Sequence, residues 1–121
     1  MDILSLKKRR SFIAIQQGGA SCVRAEFVLQ TLPLLEIIPS KTTCQLGITA
    51  SRRVGNAVKR NLAKRRIRAL MAELLSAQGR AGMAYHVIVR HSFFRASYQD
   101  LRGQLAKALA RAHQKNDRQT T

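Results

Sequence analysis

Acidic side chains are scarce in this chain of 121 residues, where six Asp and Glu face 22 Lys and Arg. The acids are scattered, and the closest two, Glu26 and Glu36, are ten residues apart with Pro33 between them. The chain contains no DxD pair, P-loop or H-E-x-x-H sequence. Metal-dependent nucleases need convergent carboxylates to hold their ions. The sequence therefore predicts no catalytic residue and no metal site in the chain itself.

Cysteine, histidine and long apolar runs are also scarce. Cys22 and Cys44 lack CxxC spacing and there are three histidines, so a zinc site is not expected. Cys44 lies in an alternating apolar pattern that favours a small core residue, and His86 is interpreted as a tolerated sheet histidine rather than a general base.

No segment has the roughly 20 apolar residues that span a bilayer, and the amino terminus does not have the basic-then-apolar order of a signal peptide. We expect a cytoplasmic protein.

The excess of positive charge, formally +16 at pH 7, is the strongest compositional signal. Such a charge repels itself in the folded state, and an anionic partner relieves the repulsion. Nucleic acid and a membrane surface are the two candidates. Nucleic acid is favoured, because each phosphate that Lys or Arg neutralises also releases condensed counterions.

Three segments are predicted as strands: residues 23–32, 43–50 and 84–90. The second alternates cleanly, as a half-buried strand does. Its core-facing set is predicted to be Cys44, Leu46, Ile48 and Ala50, and its outward set Thr43, Gln45, Gly47 and Thr49. A loop is predicted where Pro33 and Pro39 bracket an apolar connection.

Three helices are predicted. The first covers residues 5–17, is stopped by Gly18 and Gly19, and has the apolar members Leu6, Phe12, Ile13 and Ile15. The second covers residues 56–77, between an Asn56 cap and Gly79. Its apolar stripe is predicted to be Ala63, Ile67, Leu70, Met71 and Leu74. The third covers residues 97–113, starts at the Ser97–Asp100 pair, and is followed by a flexible tail over residues 114–121.

The length fits a single domain. Because each predicted element has one apolar face to bury, one sheet covered by helices is the natural packing. The predicted fold class is α+β, with a mixed central sheet and the order helix, strands, helix, strand, helix.

The most informative segment runs from Arg52 to Arg68, with eight basic side chains and no acidic one. Solvated helices usually mix both signs, because like charges four residues apart oppose the helix. Arg60, Lys64 and Arg68 form such like-charge pairs, so phosphate contact is favoured over a merely solvated basic helix. Six of the eight are Arg, whose planar fork of donors matches phosphate oxygens. A second basic cluster over residues 7–10 is a weak signal by itself.

The run R-R-V-G-N-A-V-K-R-N-L-A-K-R-R-I-R over residues 52–68 resembles the signature of the bacterial ribonuclease P protein component. The L-G-I-T-A-S sequence before it, the Y-H-V-I-V-R sequence over residues 85–90 and the amino-terminal L-K…F element are similar to the same family. The resemblance implies a compact fold with a left-handed βαβ crossover, although such connections are right-handed in about 98% of cases. It implies a subunit that binds a catalytic RNA and precursor tRNA, and neither DNA nor membrane, and that promotes removal of the 5′ leader with Mg²⁺ held largely by the RNA.

Carried over by position, the resemblance implies two sets of site residues. The RNA-binding set is Arg52, Arg53, Asn56, Lys59, Arg60, Asn61, Lys64, Arg65 and Arg68. The cleft that holds the leader is lined by Phe12, Gln16 and Gln30. Three positions depart from the family pattern: Leu62 ends an R-N-R-type triplet, and Gln16 and Gln30 stand where some relatives carry aromatics. Aromatic stacking is worth about 1–3 kcal/mol per base, so the cleft is expected to depend more on hydrogen bonds.

Two other functions remain open on the residues alone. A ribosomal or other structural RNA-binding protein would be equally small and basic, although the G-N-A-V-K-R-N motif favours the ribonuclease P subunit. A helix-turn-helix DNA regulator fits poorly, because no second helix is predicted next to residues 56–77.

Overall fold

The computed structural model describes residues 2–33 and 43–120, and the loop predicted between Pro33 and Pro39 lies largely outside them. The described part contains one sheet and three helices. In chain order the elements are β1 Asp2–Ser5, α1 Arg9–Gly18, β2 Ala20–Val23, β3 Phe27–Pro33, β4 Thr43–Ala50, α2 Ala57–Gln78, β5 Met83–Val89 and α3 Tyr98–Thr120. Short 3₁₀ turns cover Arg52–Val54 and Phe93–Arg95.

The sheet has the strand order β1-β4-β5-β3-β2. The β1–β4 and β4–β5 pairs are parallel, whereas β5–β3 and β3–β2 are antiparallel. The mixed α+β class is therefore confirmed. Helix α2 provides the crossover between the parallel neighbours β4 and β5, as a βαβ unit requires, and the left-handed sense of that crossover stays an expectation from the family.

One face of the sheet is closed by α2 and α3, with α2 over β4 and β5 and α3 over β2 and β3. The largest side chains with almost no solvent exposure there include Phe27, Tyr85 and Leu105. The Tyr85 hydroxyl accepts from the Arg80 amide at 3.0 Å and forms a second hydrogen bond with His113 Nε2 at 2.7 Å. Burial raises the pKa of Tyr85 to about 12 and is the main cause of the lowered pKa of His113. This face is the main core.

The other face carries α1, which packs on β3 and β5. Its apolar cluster is small: Leu6, Ile15 and Ala84 are buried, with Phe12 partly buried against them. The Phe12 ring lies so close to Gly47 that a Cβ added there would be 2.7 Å from the Phe12 Cε1. Only glycine at position 47 allows this approach.

Three predictions for the strands need correction. Residues 2–5 form a strand beside β4, so the first helix begins at Arg9 instead of residue 5. The predicted strand 23–32 is a hairpin of β2 and β3, because the chain turns between Val23 and Phe27. The predicted outward face of β4 is only partly open, because Thr49 is exposed whereas Gly47 under α1 and Thr43 are buried.

The long helix is confirmed: α2 is capped by Asn56, whose Oδ1 accepts from the Lys59 amide at 3.0 Å, and the whole predicted stripe is buried. The α3 cap is confirmed too, because the Asp100 amide donates to Ser97 Oγ at 3.1 Å. The predicted end of α3 is wrong. The helix continues to Thr120, so residues 114–120 are helical, and Asn116 is buried and donates to Thr31 Oγ1.

Candidate RNA interface

The connection from β4 to α2 is a tight turn whose backbone needs a glycine. Val54 is buried and anchors the turn, which leaves Arg52 and Arg53 exposed beside it. Gly55 adopts φ 146°, a conformation that L side chains rarely take, and its amide donates to the Arg52 carbonyl at 3.2 Å. The R-R-V-G-N sequence therefore places two arginines and the amino end of α2 on the same part of the surface.

The basic side chains of α2 divide by exposure. Four of the predicted RNA-binding side chains on this helix are exposed: Lys59, Asn61, Arg65 and Arg68. Arg60 and Lys64 are half-buried at the margin, and the Arg60 Nε is buried without a protein partner. Arg68 also lines an open cavity of about 230 Å³ between β1 and α2. The structure thus brings all nine predicted residues onto the turn and one helix, while Asn56 has a second role as the helix cap.

The electrostatics of this surface are one-sided. Within the described residues, the ion pairs are Arg80 with Asp117 at 2.7 Å and Arg102 with Glu73 at 2.6 Å. Neither pair involves a basic residue between positions 52 and 68, and the first turn of α2 contains no acid. The positive end of the helix dipole adds to this field. The surface is therefore suited to phosphate groups.

The departure at Leu62 changes the local surface, because this side chain is half-buried and offers no donor. Arg66 does not supply the missing donor on the exposed face of α2. Its guanidinium lies 5.6 Å from the centroid of the Phe94 ring, within the range of a cation–π contact. Of the two consecutive arginines that follow Leu62 on α2, Arg65 is exposed and Arg66 packs against an aromatic ring.

The predicted leader cleft lies between α1 and the sheet face that α1 partly covers. The Phe12 ring meets His86 edge to face, with centroids 4.8 Å apart. Gln30 is the register partner of His86 in the neighbouring strand, and its Nε2 donates to Ser21 Oγ at 3.5 Å. Gln16 is exposed on α1. The structure therefore brings Phe12 and Gln30 together around His86.

The cleft floor contains buried polar atoms that have no protein partner, namely Gln30 Oε1, Gln45 Oε1 and His86 Nδ1. Buried polar atoms are normally hydrogen-bonded, so these three atoms can bind a polar group that enters the cleft. The His86 Nε2 lies 2.8 Å from Thr49 Oγ1. Burial lowers the pKa of His86, so the imidazole is neutral at pH 7 and can offer both a donor and an acceptor.

His86 and Thr49 are the cleft residues that sequence reasoning missed. The sequence interpretation of His86 is only a tolerated sheet histidine. Thr49 is predicted to face solvent, and it is exposed, but its contact with His86 is not predicted. The available signal was strand alternation, because His86 lies between the core-facing Tyr85 and Val87 and must point to the opposite face. Its proximity to Phe12 depends on how α1 docks, which the alternation does not reveal.

The described part of the chain brings no three His, Cys, Asp or Glu side chains together where they could hold a metal ion. None of its helices is long and apolar enough to cross a membrane. Both cysteines are free thiols, and burial raises the pKa of Cys44, as expected of the core residue that the sequence predicts.

A small α+β domain with an acid-free run of basic residues over positions 52–68 and polar groups on the sheet face beside α1 has the features of a nucleic-acid-binding protein. The ribonuclease P family model matches residues 3–113. Ribonuclease P protein components are similar along most of the chain: that of Shouchella clausii is 36% identical over 107 residues, which is 88% of this chain and 84% of that protein. That of Erythrobacter litoralis is 36% identical over 109 residues, covering 90% and 85%.

Solved structures of RNase P proteins are also similar to this chain in fold. A Staphylococcus aureus RNase P protein mutant with defective mRNA degradation activity has a TM-score of 0.77 at 29% identity, covering 90% of this chain and 87% of that one. The RNase P protein from Thermotoga maritima has a TM-score of 0.72 at 27% identity, covering 88% and 96%. The chain belongs to the ribonuclease P protein family. It is the protein subunit of the endoribonuclease ribonuclease P, acts in tRNA processing, and works with an RNA partner.

Proposed function

We propose that the turn over residues 52–56 and the exposed face of α2 bind the catalytic RNA of ribonuclease P. The observation that supports this most directly is that no carboxylate among residues 2–33 and 43–120 forms an ion pair with the basic residues of this surface. Like charges spaced four apart on a helix are unfavourable unless counter-charges accompany them, and phosphates supply those counter-charges with release of condensed cations.

The same proposal assigns the 5′ leader of precursor tRNA to the cleft of Phe12, Gln16 and Gln30. Phe12 offers one aromatic surface for a base, and the unpartnered Gln30 Oε1 and His86 Nδ1 are hydrogen-bonding groups for base edges. Because Gln16 and Gln30 have no aromatic face, leader binding relies on one stacking contact and several polar ones. Stacking on an aromatic side chain is sequence-tolerant, since every base has a π-face.

The catalytic groups belong to the RNA in this proposal. The described residues offer no ligand set for Mg²⁺, so we assign the ions that ribonuclease P chemistry requires to the RNA subunit. The protein subunit acts by raising affinity for the substrate and by holding its leader in place. We place the whole complex in the cytoplasm, without a role for membrane or DNA.

The experiment that tests this proposal is a salt titration of binding to a transcript of the catalytic RNA. The variant Arg65→Ala/Arg68→Ala removes two exposed charges from α2. Each lost phosphate contact should lower the magnitude of the log–log slope by about 0.7–0.9, and the melting temperature should change little because both side chains are exposed.

The matched control is Arg80→Ala/Arg102→Ala, which removes the same number of charges from arginines that already have acidic partners. Its salt slope should remain close to that of the parent protein. A slope that is unchanged in the α2 variant, or equally reduced in both variants, would contradict the assignment of α2 to RNA.

A further inference from the structure

A second basic surface lies on α3, at the side of the sheet away from β4. It consists of Arg24, Lys107 and Arg111, which line an open cavity of about 390 Å³ together with Ala110 and Gln114. The cavity lies between α3 and the turn that joins β2 to β3. We call it the α3 basic surface.

The cavity-lining residues of α3 form one stripe along the helix. Positions 107, 110, 111 and 114 follow the i, i+3, i+4, i+7 spacing of a single helical face. Lys115 adjoins the stripe, and its Nζ donates to the Ser21 carbonyl at 2.6 Å, which ties the helix to β2. Lys107 and Arg111 are like charges four residues apart, a spacing that disfavours a helix in the absence of an anion.

Within the part of the chain that the structure describes, the charges of the α3 basic surface also lack acidic partners. Lys107 and Arg111 are exposed, and no carboxylate of the described residues pairs with them. The Arg24 Nε is buried and has no hydrogen-bond acceptor. The backbone beneath it is held in place, since the Arg24 carbonyl accepts from Arg90 Nη1 at 2.8 Å. A buried guanidinium donor in a positive concavity is suited to a phosphate oxygen.

The location of this surface indicates which RNA would reach it. Helices α2 and α3 lie on the same face of the sheet, whereas α1 and the leader cleft lie on the opposite face. Helix α2 packs on β4 and β5, and α3 packs on β3 and β2. From β4 to β2 there are three interstrand spacings of about 4.8 Å each. An RNA bound on α2 can therefore continue to α3, but a leader in the cleft is on the wrong side.

We propose that the α3 basic surface binds phosphates of a second segment of the catalytic RNA, so that the protein contacts this RNA at two separated places. The inference rests on the proposed function of α2. The recognised chemistry is the phosphodiester backbone, read by Arg24, Lys107 and Arg111 without base specificity.

The test is a salt titration of the full-length Lys107→Ala/Arg111→Ala variant against two probes, a catalytic RNA transcript and a leader-bearing precursor tRNA transcript. With the catalytic RNA, the magnitude of the log–log slope should fall by about 1.4–1.8, as expected for two lost phosphate contacts. With the precursor tRNA alone, the slope should not change. The melting temperature should stay the same or rise, because a like-charge pair has been removed from the helix.

The control is again Arg80→Ala/Arg102→Ala, which lowers the net charge equally and includes a residue of α3. Equal slope changes in control and test variants would overturn the proposal in favour of a general effect of net charge. A change seen only with precursor tRNA would overturn it by assigning the surface to the substrate. If Lys107→Ala/Arg111→Ala has no effect while Arg65→Ala/Arg68→Ala does, the second contact is absent and the proposed role of α2 stands. If neither double variant alters the slope, the proposed function itself fails.

Discussion

The two faces of the sheet differ in how they are covered. On the face toward α2 and α3, an extensive apolar cluster contains Phe27 and Leu105 with no exposed surface, and the polar Tyr85 and His113 satisfy each other. On the face toward α1, the buried apolar cluster is small, and polar atoms of Gln30 and His86 are buried without partners.

This difference indicates that the face toward α2 and α3 provides most of the stability, whereas the face toward α1 is arranged for recognition. A buried polar atom left without a partner costs on the order of 1–3 kcal/mol, so the α1 face is the less favourable of the two in the absence of a ligand. The packed face offsets that cost. Helix α1 is short and covers polar residues of the sheet, so the hydrogen-bonding groups of Gln30 and His86 stay available beside the Phe12 ring. This is the arrangement proposed for leader binding.

The largest expected effect is the loss of an aromatic ring from the packed face. Phe27→Ala should lower the free energy of unfolding by about 3–5 kcal/mol, because it leaves a cavity in the main core. Phe12→Ala should cost less, on the order of 1–2 kcal/mol, since its ring is only partly buried. Urea unfolding of both variants measures the two values. Equal losses would mean that the α1 face is as structural as the other.

The second effect concerns recognition at the α1 face. Phe12→Ala should weaken binding of leader-bearing precursor tRNA relative to mature tRNA by roughly 1–3 kcal/mol, the value of one unstacked base. Ile13→Ala is the matched control, since Ile13 is the next residue on α1 and is 41% exposed. The measurement is the ratio of the two affinities. A constant ratio with reduced stability would identify Phe12 as an anchor of α1 only.

The third effect is a dependence of stability on pH, to which each face contributes one buried histidine. Burial lowers the pKa of His86, and burial with the nearby Arg80 charge lowers that of His113. The unfolded chain, with histidine pKa values near ~6.5, therefore binds protons before the folded chain does. Stability should be complete above about pH 6.5 and should fall as the pH falls toward the folded pKa values.

Melting temperatures at pH 5, 6 and 7 test this dependence above the range where carboxylates titrate. His86→Gln and His113→Gln should each flatten the curve, whatever their effect on stability at pH 7. If both variants keep the parent slope, the loss of stability in acid does not arise from these two side chains.

The smallest effect is expected at Asn56, which lies at the edge of the packed face and belongs to the proposed RNA surface. Asn56→Ala should lower stability by about 1 kcal/mol, because the Lys59 amide loses its acceptor. Asn56→Asp should retain the cap but weaken binding of the catalytic RNA, because it places a negative charge beside Arg52 and Arg53. Thermal unfolding and RNA titration of both variants separate the two roles. Equal RNA affinities would exclude Asn56 from the interface.

Much of the packed face could be predicted from the sequence. The α2 stripe, its Asn56 cap and the alternation of Cys44 and Leu46 in β4 depend on local periodicity and capping chemistry, which are written in consecutive residues. The acid-free basic run over residues 52–68 could be predicted equally well, because the charge on a helix face follows from residue spacing alone. Family membership followed from the same segment.

The α1 face was decided by tertiary structure. Residues 2–5 have no distinctive strand pattern and become β1 only because β4 offers a free parallel edge. His86 meets Phe12 because α1 docks on Gly47, a contact between residues 35 positions apart in the sequence. Residues 114–120 continue α3 where Asn116 finds Thr31 on a distant strand. The local sequence pattern therefore determined the helices and strands and their charge. Long-range packing determined which polar groups were buried together, because no short window of sequence contains its contacts.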